Sequence, residues 1–167
     1  MKNRSITIFS WVVVAWTCKV FLSSLPYKFS GHPDTQHIFG TIGVWMQETI
    51  NLGLGQWFVE HGAVAVGIFE LSASLLLLSP IVFWAVKKLN LVKNVPSRAL
   101  IHTLGGLLSA GVMAGAMFFH LVTPLGIEVL HNGVSDGGSL FYAAVSIFIL
   151  GLISAALNGT ILRRQYN

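Results

Sequence analysis

The stretch AVAVGIFELSASLLLLSPIVFWAVKKLNLVK, residues 63–93, decides the fold. From Ala63 to Val86 it carries a single ionisable side chain, Glu70, and then Lys87, Lys88 and Lys93 follow in quick succession. A helix needs roughly 20 predominantly apolar residues to cross a hydrocarbon core of ~30 Å. The stretch therefore reads as a membrane span ending in a basic flank. Pro80, near the basic end, predicts a kink.

Three more apolar runs lie to either side, at about residues 6–25, 99–123 and 140–162. Pro26 closes the first, because proline supplies no amide proton and clashes with the preceding turn. Pro96-Ser97 opens the third as a cap, and Pro124 stops it. The fourth follows Asn132-Gly133-Val134-Ser135-Asp136-Gly137-Gly138-Ser139, which is turn chemistry and lacks the Gly-Lys-Ser/Thr ending of a phosphate loop. Lys2 and Arg4 precede the first run, Lys87, Lys88, Lys93 and Arg98 lie between the second and third, and Arg163 and Arg164 follow the fourth. The acidic residues avoid those segments: Asp34, Glu48 and Glu60 fall between runs one and two, and Glu128 and Asp136 between three and four. Short cytoplasmic loops retain Lys and Arg, so the pattern predicts four spans in an integral membrane protein with both termini cytoplasmic. In a bacterium that is the inner, cytoplasmic membrane.

Composition agrees with lipid as the main solvent: mean hydropathy is +0.73, with 54% hydrophobic and 10% charged residues. The pI near 9.5 comes from the cytoplasmic flanks. No basic cluster interleaves with aromatics as a nucleic-acid groove requires, so that partner is excluded. Four spans in 167 residues leave no room for a separate soluble domain, and residues 1–167 read as one integral membrane domain. Cys18 is the only cysteine, which excludes an intrachain disulfide or C-x-x-C chemistry. Lys19 interrupts the first run and no small-x-small cleavage site follows, so an uncleaved first helix is expected.

The connection between spans one and two has its own helical period, with Ile38, Phe39, Ile42, Trp45, Met46 and Ile50 recurring at three and four. It predicts an additional amphipathic helix over about 35–51, lying in the outer interface and capped by Asp34. Gly53 and Gly55 would then release the chain toward Trp57 and Phe58 as interfacial anchors. The expected fold is all-α: a transmembrane four-helix bundle with that interfacial helix between spans one and two.

Lys19 and Glu70 lead the candidate site, because ionisable side chains within a span are costly and take a partner or a task. Each lies about seven residues inside the outer end of its span, roughly 10 Å at helical rise, so antiparallel neighbours can bring them together. Ala63, Gly67 and Ser74 flank Glu70, and Ala15 and Ser23 flank Lys19, both faces suited to close packing. The pair reads either as an interhelical ion pair that fixes packing or as the floor of a pocket. His102 and His120 share one face of span three about 27 Å apart, so only His120 approaches the outer layer. Gly111-Val112-Met113-Ala114-Gly115 matches G-x-x-x-G and permits close backbone contact, while Gly151, Ser154, Ala155 and Gly159 give span four a small face. His32, His37, His61, His120 and His131 gather on the outer side, yet none shows H-x-x-x-H or H-E-x-x-H spacing, so no metal is assigned. Neither is Ser/His/Asp catalysis, since no Gly-x-Ser-x-Gly elbow exists and Ser30, Ser135 and Ser139 sit as turn or cap residues.

The order of Lys19, Leu25-Pro26-Tyr27-Lys28-Phe29-Ser30-Gly31, Phe69-Glu70-Leu71, Leu75-Leu76-Leu77-Leu78-Ser79-Pro80 and Phe118-Phe119-His120-Leu121-Val122-Thr123-Pro124-Leu125-Gly126 resembles the DoxX-like family of small four-span membrane proteins over most of the chain. The resemblance implies a four-helix bundle with its polar residues toward one face. For the family's namesake it implies a subunit of a thiosulfate-to-quinone oxidoreductase; more distant relatives are similar to sterol-binding or cargo-handling proteins. A further branch uses a cysteine pair, which this chain lacks. Because the chain carries no recognisable haem, flavin or iron-sulfur ligand set, the resemblance implies at most a non-catalytic or quinone-linked subunit of a membrane oxidoreductase.

The leading expectation is a membrane-embedded binding or accessory subunit in which Lys19, Glu70 and His120 line an outer-leaflet pocket for a quinone or bound lipid. In it Glu70 accepts a hydrogen bond or proton and Lys19 supplies the countercharge. The alternative is a structural or assembly protein with Lys19–Glu70 as a packing ion pair and the 38–50 helix as its docking element. A transporter comes third, for want of inverted repeats. The expected partners are the lipid bilayer and an oxidoreductase or assembly subunit, with homo-oligomerisation left open.

Overall fold

The computed structural model describes residues 2–166, with side chains from Arg4 to Arg164. Five helices follow in order: α1 Lys2–Ser30, α2 Pro33–Thr49, α3 Leu52–Lys88, α4 Arg98–Val122 and α5 Ser139–Tyr166. Four of them, α1, α3, α4 and α5, are long and apolar enough to cross a membrane. The chain is therefore an all-α, multi-pass membrane bundle. These four close a ring, with α1 against α3 and α5, and α4 against α3 and α5, while α2 folds back along the start of α3. Both termini lie at one end of the bundle, and α2 lies at the other. Ile8, Val12, Leu75, Val82, Trp84, Leu107 and Ile149 point outward, giving the apolar surface a bilayer requires. Phe21, Ala73, Met113, Ala144 and Ile147 form the central core.

The first span does not stop at Pro26. Its helix continues to Ser30, because a proline removes one backbone bond, whereas the extra turn places Phe29 on Gly67 of α3 and Lys28 on Glu70. The stop comes at Gly31, whose φ of +66° permits the His32 amide to donate back to the Tyr27 carbonyl at 3.1 Å, a Schellman closure. His32 then caps α2, its Nδ1 accepting from the Asp34 amide. Asp34, expected to be the cap, instead sits in the first turn.

α2 is present where the periodicity places it, but its apolar face is not spread on an interface. Phe39, Ile42 and Met46 are buried, with Ile42 and Met46 packing on Leu125 and Val129 and Phe39 on Phe58. That face is therefore not free to act as a docking element. Gly53 and Gly55 do not release the chain either: α3 starts at Leu52 behind an Asn51 cap, eleven residues before the expected Ala63. At Gly55 a Cβ would lie 2.5 Å from the Gly43 carbonyl, so the residue read as a breaker is the contact point of an αα-hairpin.

Pro80 is inside α3. It leaves the Leu76 carbonyl without a helical donor, and the Ser79 hydroxyl donates to that carbonyl at 2.7 Å. Ser97 caps α4 as expected, its Oγ accepting from the Leu100 amide. α4 and α5 meet at Gly106 and Gly151, where a Cβ on Gly106 would lie 2.7 Å from the Gly151 carbonyl. The small face of α5 thus packs as expected, through Gly151 and Ala155, while Gly159 meets nothing within 4 Å.

Between α4 and α5, Leu130–His131 and Val134–Ser135 form a two-stranded hairpin around Asn132-Gly133, both at positive φ. Asp136 organises this segment. Its Oδ1 accepts from the Val129 and Gly138 amides at 2.8 and 2.9 Å, and its Oδ2 from the Leu140 amide at 3.1 Å and the Ser139 hydroxyl at 3.3 Å. Burial raises the Asp136 pKa, but these donors together hold it below the ordinary aspartate value.

Candidate functional site

The antiparallel register of α1 and α3 is set by three contacts: Cys18 on the Ser74 carbonyl, Ser24 on Glu70 and Phe29 on Gly67. In that register Lys19 is near the level of Ser74 and on the side of α1 opposite Lys28. Lys19 is exposed, its Nζ 5.3 Å from the Trp16 ring centroid. The partner of Glu70 is Lys28, with Nζ 2.8 Å from Oε2. The Lys19–Glu70 pair expected from depth is thus replaced by a Lys28–Glu70 pair. The error traces to Pro26: ending α1 there removes Lys28 from the helix and leaves Lys19 as its only buried-looking cation.

Ser24 completes the group. Lys28 donates to its Oγ at 2.8 Å, and the one hydroxyl proton lies between the Phe21 carbonyl at 2.7 Å and Glu70 Oε2 at 2.8 Å. Oε2 therefore carries both protein contacts of the carboxylate. Oε1 has no hydrogen bond among the described residues and is not sealed by protein. Glu70 as a whole is 4% exposed.

These three side chains border a cavity of about 310 Å³ at the α2 end of the bundle, lined by all five helices. Apolar residues make most of its wall, among them Phe39, Ile42, Phe58, Met113, Phe119 and Leu125. His120 supplies the facing polar group. It is 7% exposed, its ring meets Phe141 edge-on, and its Nδ1 lies 2.7 Å from the Gly126 carbonyl. A carbonyl only accepts, so Nδ1 bears the proton and Nε2 of the neutral ring is left as an acceptor. Of the three residues expected at the site, the cavity brings together Glu70 and His120 and leaves out Lys19.

Gly111 and Gly115 also line the cavity, and a Cβ on either would meet nothing within 4 Å. The G-x-x-x-G segment is therefore not a helix contact within this bundle: its missing side chains are part of the empty space. Gly111 and Phe69, both lining residues, are themselves exposed, Phe69 at 55%. With Leu77 on Gly105 fixing the α3–α4 register, these two stand at nearly the same height on the exposed rim of the cavity.

Comparison of the chain with family models, curated proteins and solved structures finds no match.

A second polar cluster, at the termini end, was not legible in the sequence. Arg98 Nη1 donates to Asn158 Oδ1 at 3.0 Å and approaches His102 Nδ1 at 3.3 Å, and Nη2 donates to Thr7 at 3.1 Å. Asn158 in turn donates to Ser10 Oγ at 2.7 Å and the Ser154 carbonyl at 2.8 Å. His102 and Asn158 are wholly buried. The cluster ties α1, α4 and α5 together, contributes nothing to the wall of the cavity described above, and leaves His102 Nε2 buried without a hydrogen-bond partner among the described residues. The available signal was Asn158 inside an apolar run, near its basic end, where an amide needs partners.

The remaining histidines lie outside the cavity. His131 Nδ1 is 2.6 Å from Asp34 Oδ1 and joins the hairpin to α2, His37 stacks on His131, and His61 contacts Glu60 and Trp57. Among the described residues no three His, Cys, Asp or Glu side chains converge as a metal site.

Proposed function

We propose that this protein is a membrane binding or accessory subunit that holds a lipophilic small molecule, a quinone or a lipid headgroup, in the cavity beside Glu70. One observation carries the reading: a cavity of about 310 Å³ with apolar walls, into which Glu70, Lys28, Ser24 and His120 converge. That combination of a mostly apolar concavity with a few placed polar groups is the usual form of a small-molecule site, and its volume sits at the lower end of such pockets. The basic flanks orient both termini to the cytoplasm, which puts the cavity in the outer leaflet. The resemblance to DoxX-like proteins belongs to the same proposal, as does a partner oxidoreductase that would use the bound molecule.

The test is to purify the protein in mild detergent and analyse organic extracts of wild type, Glu70→Gln and Gly115→Leu by mass spectrometry and ultraviolet absorbance. A stoichiometric organic molecule in wild type, depleted in both variants at equal protein stability, is the expected result. Three equally empty, equally stable preparations would overturn the reading. The alternative in which the ion pair serves packing alone is separated by a charge swap: Lys28→Glu with Glu70→Lys retains a structural pair but disorders a directional site.

A further inference from the structure

The polar atoms left over at the cavity are unequal in kind. Glu70 Oε1 and His120 Nε2 are acceptors without a protein partner, on side chains more than nine-tenths buried. Lys28 has one N–H beyond those given to Ser24 and Glu70, but it lies two residues from the end of α1, where water can serve it. In a bilayer an unpaired buried polar atom is costly, and water is scarce within apolar walls. The complement of two unpartnered acceptors facing an apolar cavity is a molecule that brings a proton donor. Charge narrows the class further. A cationic amine would meet Glu70 but also the ammonium of Lys28, 2.8 Å from the same carboxylate, so a neutral donor fits and a cation does not.

We propose that the ligand of this cavity is recognised through a hydroxyl group: a neutral, hydroxyl-bearing ring compound whose O–H donates to Glu70 Oε1 or His120 Nε2 and whose oxygen accepts from Lys28. This rests on the binding reading above and names the chemistry of its ligand. The volume suits a ring and not a whole lipid. An attached alkyl chain leaves between Phe69 of α3 and Gly111 of α4, on the exposed rim of the cavity. Gly111 and Gly115 are specificity positions in this arrangement, because any side chain there occupies the ring's space.

The inference is tested with two probes that differ by one methyl group, para-nonylphenol and its methyl ether, titrated by calorimetry into the purified protein in detergent. Both are equally apolar in chain and ring; only the phenol donates. The expected result is binding of the phenol about 10-fold or more tighter than the ether, the difference a charge-assisted hydrogen bond makes. In Glu70→Gln the amide oxygen stays with Lys28 and Ser24, and an NH₂ group turns to the cavity. The preference should then shrink to about 2-fold with the ether still bound, a change that a purely structural role for Glu70 would not produce. Gly115→Leu should bind neither probe. Equal binding of phenol and ether to wild type, with both lost in Gly115→Leu, overturns the hydroxyl inference and leaves the cavity reading standing. Failure of wild type to bind either probe overturns both.

Discussion

Removing the ammonium of Lys28 should destabilise the protein far more than removing that of Lys19, although Lys19 is the cation nearer the middle of its span. Lys28 Nζ and Glu70 Oε2 are 2.8 Å apart, with side chains 15% and 6% exposed. At an effective dielectric of 20 the gross attraction over that distance is ~6 kcal/mol, most of it offset by the desolvation both ions have already undergone. Breaking such a pair from one side leaves the other charge buried and unpaired, a loss of about 3–5 kcal/mol in water-soluble proteins. A membrane chain finds substitute partners in its unfolded state as well, so about 2–4 kcal/mol is expected for Lys28→Met. Lys28→Met with Glu70→Leu removes both charges and should recover most of that loss. Lys19→Met, which gives up a surface cation–π contact, should stay within about 1 kcal/mol. The assay is equilibrium unfolding in mixed micelles, run as a double-mutant cycle. A Lys28–Glu70 coupling energy below ~0.5 kcal/mol, or a larger Lys19–Glu70 coupling, would refute the register on which the site is built.

The other expectations are measured the same way or by hydrogen exchange. Gly106→Ala should destabilise by about 1–3 kcal/mol because its Cβ enters the Gly151 carbonyl, whereas Gly111→Ala, with nothing within 4 Å, should be neutral or stabilising by up to ~1 kcal/mol through helix propensity; similar losses at both positions would contradict the cavity wall. Asn158→Ala should lose about 1–3 kcal/mol in thermal unfolding, since it leaves Arg98 and Ser10 short of partners, and an unchanged midpoint would remove the cluster's structural role. The Asp136 carboxyl has a folded pKa below its ordinary value, so its support of the 129–140 segment is complete above about pH 4 and fades as pH falls through the lower, folded value. Exchange of the Val129 and Leu140 amides should accelerate in that acid window, and the acceleration should vanish in Asp136→Asn; an unchanged pH profile in the variant would exclude Asp136 as its source.

Periodicity and charge sorting located every helix, because an apolar run of span length and an i, i+3, i+4 pattern are local properties. Ser97 as a cap and the Asn132-Gly133 turn were legible for the same reason. What was not legible was register. Pro26 and the Gly53-Gly55 pair are both signals of interruption, and both lie inside helices because tertiary contacts outweigh local preference: Phe29 and Lys28 on α3 beyond the proline, and the α2–α3 backbone approach at Gly55. Extending α1 by one turn exchanged Lys19 for Lys28 at the Glu70 level. Glu70 and His120 both line the cavity because each is placed by its own helix, whereas the identity of their neighbours depends on how two helices slide past each other. Gly111 and Gly115 show a related ambiguity. A small-residue motif marks where side chains are absent, and sequence alone does not say whether a helix or an empty space takes their place.

The two polar clusters of the bundle differ in a way that bears on function. At the termini end Arg98, His102, Asn158, Ser10 and Thr7 bond one another across three helices, and the one ring nitrogen left over, His102 Nε2, is sealed in protein. At the α2 end the ion pair is complete through Oε2 alone, and Oε1 of Glu70 and Nε2 of His120 remain unpaired at the edge of an apolar void. If packing were the only task of the second cluster, side chains at 111 and 115 could occupy part of the space, since a Cβ at either position meets nothing within 4 Å. Two acceptors facing an apolar void without a donor are unfavourable in a low-dielectric medium, and a hydrogen-bond donor that occupies the space relieves that penalty. The contrast between a cluster sealed in protein, even around an unpartnered His102 Nε2, and one that borders a cavity is the physical ground for reading the second as a binding site.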